Sequence, residues 1–148
     1  MPLLFVYGTL RDPDLLAGVL GRPLSASAML PAAAPGYAVL YYPGRVYPAL
    51  VRAPGAAAKG LVLTDLSPFE YDVLDAFEGD EYWRQTVPVM IGEELHEAAA
   101  YLPAMAVPAT AEPWTLEAWQ ARHKANVLDG ERAGAAQLRA RLIAIRPH

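Results

Sequence analysis

Cysteine is absent from the 148 residues. No disulfide framework, no thiolate nucleophile and no cysteine-ligated zinc or iron–sulfur site can therefore form. Serine is scarce: Ser25, Ser27 and Ser67 are the only ones, and none lies in a Gly-x-Ser-x-Gly elbow. The histidines His96, His123 and His148 have neither His-x-x-x-His nor His-Glu-x-x-His spacing, which argues against a zinc hydrolase. Neither Gly-x-Gly-x-x-Gly nor a phosphate-loop motif occurs. Charge is also sparse, with 19% charged residues against 54% hydrophobic ones. That balance excludes a disordered chain. With a net charge of −4, a nucleic-acid footprint is not expected, although the net charge alone leaves room for a local basic patch. No run of about 18 uncharged apolar residues is present, so no membrane span is expected. The opening Met1-Pro2-Leu3-Leu4-Phe5-Val6-Tyr7 has no basic segment and no long apolar stretch, so no signal peptide is expected. The length fits one domain, long enough to bury roughly two-thirds of its unfolded surface.

What is present is strongly punctuated. Leu3 to Tyr7 is a short apolar run ended by Gly8, which predicts a buried strand. Asp12-Pro13 offers an N-cap and a proline at the first helical position, and Leu15, Leu16, Val19 and Leu20 give one apolar face before Gly21. Between Leu24 and Asp65, five prolines and four glycines separate short runs at Tyr37–Tyr42, Val46–Val51 and Lys59–Leu63. This predicts antiparallel strands, with the prolines at edges, bends or strand ends. Ser67-Pro68-Phe69-Glu70 is a capping box, and Leu66 with Tyr71 can form a staple. The helix carries Phe69, Val73, Ala76 and Phe77 as its stripe and Gly79 as a left-handed stop. Arg84–Ile91 and His96–Leu102 predict a hairpin around Gly92-Glu93. Trp114–Leu128 and Ala133–Ile145 predict two helices. The alanine triplets at 32–34, 56–58 and 98–100 read as compositional bias. The order βα, ββ, α, ββ, αα indicates an α+β fold.

With thiols, clustered histidines and phosphate loops excluded, carboxylates and glycine-bearing turns remain. Gly8, directly after a buried strand, lets backbone approach a ligand, and free N–H groups at Gly8, Thr9 and Leu10 can hold a carboxylate or oxyanion. The competing reading is an ordinary strand–helix turn. Glu78 stands in the last turn of its helix, at the margin of the apolar stripe. There it meets the negative end of the helix dipole, which raises a carboxyl pKa and suits a general base or acid. The competing reading is a solvated acidic helix end. Asp72, Asp75, Asp80 and Glu81 match no calcium-loop spacing and read as a solvated face rather than a metal site. Trp114, Trp119 and His123 read as packing residues on a helix.

Phe5-Val6-Tyr7-Gly8-Thr9-Leu10-Arg11 and Leu74-Asp75-Ala76-Phe77-Glu78-Gly79, the latter followed by Tyr82 and Arg84, enclose Val46-Tyr47-Pro48-Ala49-Leu50-Val51 and Lys59-Gly60-Leu61-Val62. In that order they resemble the gamma-glutamylcyclotransferase-like superfamily, including its AIG2-like and gamma-glutamylamine cyclotransferase branches. The resemblance spans roughly residues 3 to 102. It implies a small mixed or antiparallel β-barrel with flanking helices and a cavity at one end. Residues 1–148 would be one such domain, with 103–148 a variable helical C-terminal extension. It further implies that Tyr7, Gly8, Thr9 and Leu10 bind a glutamyl group, that Tyr47 and Tyr82 help wall the pocket, and that Glu78 is the catalytic acid/base.

Cyclisation of a gamma-glutamyl amide to 5-oxoproline is intramolecular, so positioning supplies much of the rate. It needs one proton carrier and a few donors, without cofactor or metal. The expected partner is a small gamma-glutamyl substrate, the expected setting cytoplasmic, away from membrane and nucleic acid, and the expected assembly a monomer or homodimer. One variant of this reading is deprotection of a gamma-glutamylated metabolite. The alternative from another class is a non-catalytic small-molecule binding or regulatory module on the same fold.

Overall fold

The computed structural model describes residues 3–145. Met1, Pro2 and His148 lie outside the described residues. Strand β1 (Leu4–Val6) is followed by a 3-10 turn at Thr9–Arg11 and helix α1 (Pro13–Leu20). Strands β2 (Met29–Tyr41) and β3 (Pro48–Leu63) precede helix α2 (Pro68–Glu78). Strands β4 (Tyr82–Ile91) and β5 (Glu94–Pro103) then lead to α3 (Leu116–Arg122) and α4 (Lys124–Ile145). The five strands close into a barrel in the order β1-β3-β2-β4-β5. Only the β1–β5 contact is parallel, with Leu4 opposite Ala99. This is an α+β fold: a small mixed β-barrel with flanking helices.

The start of the chain shows why β1 reads as an unbroken apolar run. Side chains alternate across a strand. Leu4 and Val6 join the core between barrel and helices, with Leu15, Val19, Leu63, Leu74 and Trp119. Phe5 and Tyr7 point the other way, into the barrel interior with Leu50, Val62, Val87 and Val89. A strand buried on both faces has no polar alternation to show. The barrel interior also explains the alanines. Ala32, Ala34, Ala58, Ala98 and Ala100 all sit in the interior cluster. They are the small side chains that a narrow barrel can accommodate, not a bias of composition.

Helix ends follow their local signals. Asp12 caps α1 by accepting from Leu15 N, and Gly21 closes it at φ 81°. Ser67 and Glu70 form the reciprocal capping box of α2 behind Pro68. Glu70 is held further by a two-pronged contact from Arg22, at 2.7 and 2.9 Å. Leu66 and Tyr71 are buried in one cluster.

Four expectations are corrected. The three short runs between Leu24 and Asp65 are two long strands, paired from Met29–Leu63 to Tyr41–Pro48. Pro31 lies in register opposite Leu61. Pro35 stands at a single register shift, and Pro54 lies within it, between Arg52 and Ala57, the paired residues on either side. A bulge absorbs the missing N–H groups, so the prolines bend the hairpin without cutting it. In α2 the buried positions are Glu70, Tyr71, Val73 and Leu74, while Ala76 is exposed. The stripe is turned because α2 packs on both α1 and α4. Gly79 has φ 63° but ψ −145°, so it is not a left-handed helical cap; it turns the chain directly into a 3-10 segment, Gly79–Glu81. The C-terminal helices break at His123 rather than between 128 and 133. Trp114 stands before α3, its indole donating to Val46 O at 2.9 Å. Thr115 is the N-cap of α3 instead.

Candidate active site

The open end of the barrel, α2 and the C-terminal helices enclose a cavity of about 280 Å³. Tyr7, Gly8, Thr9, Leu10, Tyr47, Glu78 and Tyr82 all line it. Residues far apart in sequence and grouped there by expectation are thus brought to one place.

The glycine turn is shaped by a close approach. A Cβ on Gly8 would lie 2.6 Å from Pro48 Cγ. The turn carries Thr9–Arg11, whose closing bonds run from Arg11 N to Gly8 O and Asp12 N to Thr9 O, both 3.0 Å. The leading N–H groups of such a turn have no partner within it. Gly8→Ala is expected to lower stability by about 1–3 kcal/mol through overpacking against a rigid proline ring. It should also reduce any turnover at least tenfold. Thermal melts and steady-state kinetics on the same preparation check both effects.

Glu78 is half-buried at the end of α2 and faces the cavity. It has no hydrogen-bond or ion-pair partner among the described residues. Burial pushes its carboxyl up to about 8, helped by the negative charges of Glu131, Glu81 and Asp75. A solvated helix end would feel no such burial.

The tyrosines are arranged in one way. Tyr7 donates to Tyr101 O at 2.5 Å, and Tyr82 to Pro48 O at 2.6 Å. Tyr47 donates to a Glu81 carboxylate oxygen, and Tyr101 to Asp75 Oδ1 at 2.7 Å. All four hydroxyl protons are directed into the protein, so the phenol oxygens offer only lone pairs to a ligand. Burial raises all four hydroxyls first, and nearby carboxylates add to the effect; Tyr47 reaches about 12. They stay neutral.

Several members of the site escape sequence reasoning. Glu81, read as part of a solvated face, lines the cavity and is held by Tyr47 and by Arg45 at 3.1 Å. Asp75, exposed as expected, still binds Tyr101 and, at 3.4 Å, Arg84. From the C-terminal helices come Trp119, Val127 and Glu131. The only forewarning of these was the helical spacing of Trp119. Among the described residues no Lys, Arg or His lines the cavity. Among the described residues no cluster of His, Asp and Glu is arranged to hold a metal ion, and no helix is long and apolar enough to cross a membrane.

Comparison with known proteins adds the following. A family model described as gamma-glutamyl cyclotransferase, AIG2-like, matches residues 4–121. AIG2-like protein D of Arabidopsis thaliana is 38% identical over 98 residues, which are 66% of this chain and 62% of that protein. AIG2-like protein A of the same organism is 39% identical over 87 residues, 58% of this chain and 50% of that protein. The chain thus spans about half to three-fifths of the length of these curated relatives. A solution structure from Arabidopsis thaliana superposes with a TM-score of 0.66 at 30% identity, covering 87% of both chains. A gamma-glutamyl cyclotransferase structure superposes with a TM-score of 0.58 at 16% identity, covering 99% of this chain and 89% of the other; that is a likeness of fold.

Proposed function

The chain belongs to the AIG2-like gamma-glutamyl cyclotransferase family, and from that premise we propose that it cyclises a gamma-glutamyl amide to 5-oxoproline and releases a free amine. The observation that carries this reading is Glu78: a half-buried carboxyl without a partner among the described residues, lining a cavity that the Gly8–Leu10 turn also lines.

The reaction runs through one proton carrier. Ionised Glu78 takes a proton from the substrate's α-ammonium. The freed amine nitrogen attacks the γ-carbonyl carbon, forming the ring C–N bond. The bond from that carbon to the departing nitrogen breaks as the proton on Glu78 passes to it, and Glu78 then takes the second proton from the ring nitrogen and yields it to the released amine, which leaves as an ammonium. Mass and charge balance, and no covalent enzyme intermediate is needed. A carboxyl near 8 suits these transfers, because it is matched to an ammonium at neutral pH. The lone pairs of Tyr7, Tyr47 and Tyr82 receive the remaining ammonium N–H groups. The N–H groups of Thr9 and Leu10 hold the α-carboxylate or the carbonyl oxygen.

Incubation with gamma-glutamyl amino acids and gamma-glutamyl-ε-lysine should yield 5-oxoproline, detected by chromatography. Absence of the product with every donor means a binding module in place of an enzyme. With an active donor, kcat/KM should rise with pH along a limb near 8, where Glu78 ionises. Glu131→Gln removes a negative charge that faces Glu78, so the limb should move to lower pH. A limb that stays in place shows that Glu131 does not act on Glu78.

A further inference from the structure

The polar side chains that line the cavity are nearly all acceptors. Glu78 and Glu131 have no hydrogen-bond or ion-pair partner among the described residues. Glu81 is already met by Arg45 and Tyr47. The hydroxyl protons of Tyr7, Tyr47 and Tyr82 are given to protein oxygens, which leaves their lone pairs. The Trp119 indole N–H is fully buried. Among the described residues, the side-chain donor left to a ligand is the Thr9 hydroxyl, on the turn whose N–H groups hold the glutamyl end.

Glu131 stands apart from the other carboxylates. It follows Val127, which also lines the cavity, by one turn of α4, so both face the same way. Glu131 is open to solvent, yet it lines the cavity, and partial burial raises its carboxyl. That combination puts it at the mouth, outward of half-buried Glu78. Basic side chains around the site are engaged elsewhere: Arg45 with Glu81, Arg84 with Asp75, and Lys124, at the start of the same helix, with Asp12 and Asp14. The charges of the glutamyl group do not meet Glu131 either. Its α-ammonium is served by Glu78 and its α-carboxylate by the turn. The departing amine leaves through the mouth, past Glu131. A neutral chain there would leave this charge uncompensated, and a carboxylate would be repelled with no cation to receive it.

We propose that Glu131 selects the leaving group by pairing with a second, positively charged amine at the far end of the departing chain. The preferred substrates are then gamma-glutamyl monoamides of diamines or polyamines, over gamma-glutamyl amino acids. The inference rests on the cyclisation reading and deepens it. Glu131 lies outside the matched residues 4–121, so this selectivity belongs to the C-terminal helix of this chain.

Three donors of matched length separate the charges: the gamma-glutamyl amides of putrescine, n-pentylamine and δ-aminovalerate. For 5-oxoproline formation, kcat/KM should be about tenfold higher with the putrescine amide than with the pentylamine amide, and lowest with the δ-aminovalerate amide. In Glu131→Gln the first ratio should fall toward one. In Glu131→Lys the δ-aminovalerate amide should overtake the putrescine amide. Any effect of either change on Glu78 is common to the three donors and cancels in the ratios. A wild type that does not favour the putrescine amide, or a preference that survives Glu131→Gln, overturns the inference. If no donor yields 5-oxoproline, the cyclisation fails instead, and titration calorimetry with the same three amides decides. A preference in Kd for the putrescine amide that Glu131→Gln removes upholds the inference; equal or absent binding overturns it.

Discussion

Glu78→Gln is expected to lower 5-oxoproline formation by about 10³- to 10⁴-fold in kcat while making the folded protein more stable in base. Gln keeps the shape and removes the proton carrier, so the loss falls on kcat with KM little changed. The stability gain follows from the pKa. The carboxyl ordinarily titrates at 4.5 and is pushed up to about 8 by burial and by three neighbouring carboxylates. The folded state therefore binds the proton more tightly than the unfolded chain. Stability associated with the neutral form is fully present below 4.5 and is lost as pH rises through 8. A glutamine has nothing to lose over that window. The variant should match the wild type near pH 4 and exceed it by ~2–3 kcal/mol at pH 9, a figure reduced for the water that the open cavity admits. Urea denaturation at the two pH values measures the gap. Parallel curves would mean that the carboxyl is solvated, and surviving turnover would mean that the proton travels another way.

Asp12→Ala should produce the largest loss of stability, about 3 kcal/mol. Asp12 is 0% exposed. It accepts from Leu15 N at 3.0 Å, Gln120 Nε2 at 2.8 Å and Lys124 Nζ at 2.9 Å. Burial alone would raise its carboxyl, but these three donors outweigh it and hold it below the ordinary 3.8. Its contribution is therefore complete above that value and is lost as pH falls below it. Asp12→Asn retains part of the cap and should lose less. The variant also frees α3 from the turn at Thr9–Arg11, so any KM should rise. Chemical denaturation at pH 7 and pH 3 checks the first claim: the deficit of Asp12→Ala should shrink in acid. A deficit independent of pH would assign the effect to packing.

These two residues also mark how far the sequence can be read. The N-cap role of Asp12 is visible because Asp-Pro before an apolar stripe is a local signal. Its bonds to Gln120 and Lys124 are not, because they join residues more than a hundred positions apart. Glu78 is visible through its position at a helix end and through the resemblance of its surroundings to a known family. Of the charges that tune it, Asp75 and Glu81 are close by in sequence, but Glu131 comes from α4, more than fifty positions away. The strand pairing shows the same limit. Runs around Pro35 and Pro54 look like breaks until the register shift between the two strands is seen to accommodate them, and Pro31 stays in register opposite Leu61. The tyrosines were legible as residue types at the cavity, but the direction of each hydroxyl depends on a partner from a different element.

The cavity draws its walls from residues 5–10, 46–48, 77–82, 101 and 119–131. In order of synthesis, the earliest stretch is completed by one of the latest. Strand β1 has no neighbour until residue 61 has been made, and its second neighbour arrives only with residue 99. Such distant pairings form late. On the ribosome, then, β1 waits for β3 and, with one edge still open, for β5. The barrel can close before α3 and α4 have emerged, but the cavity gains its last wall only when they seat.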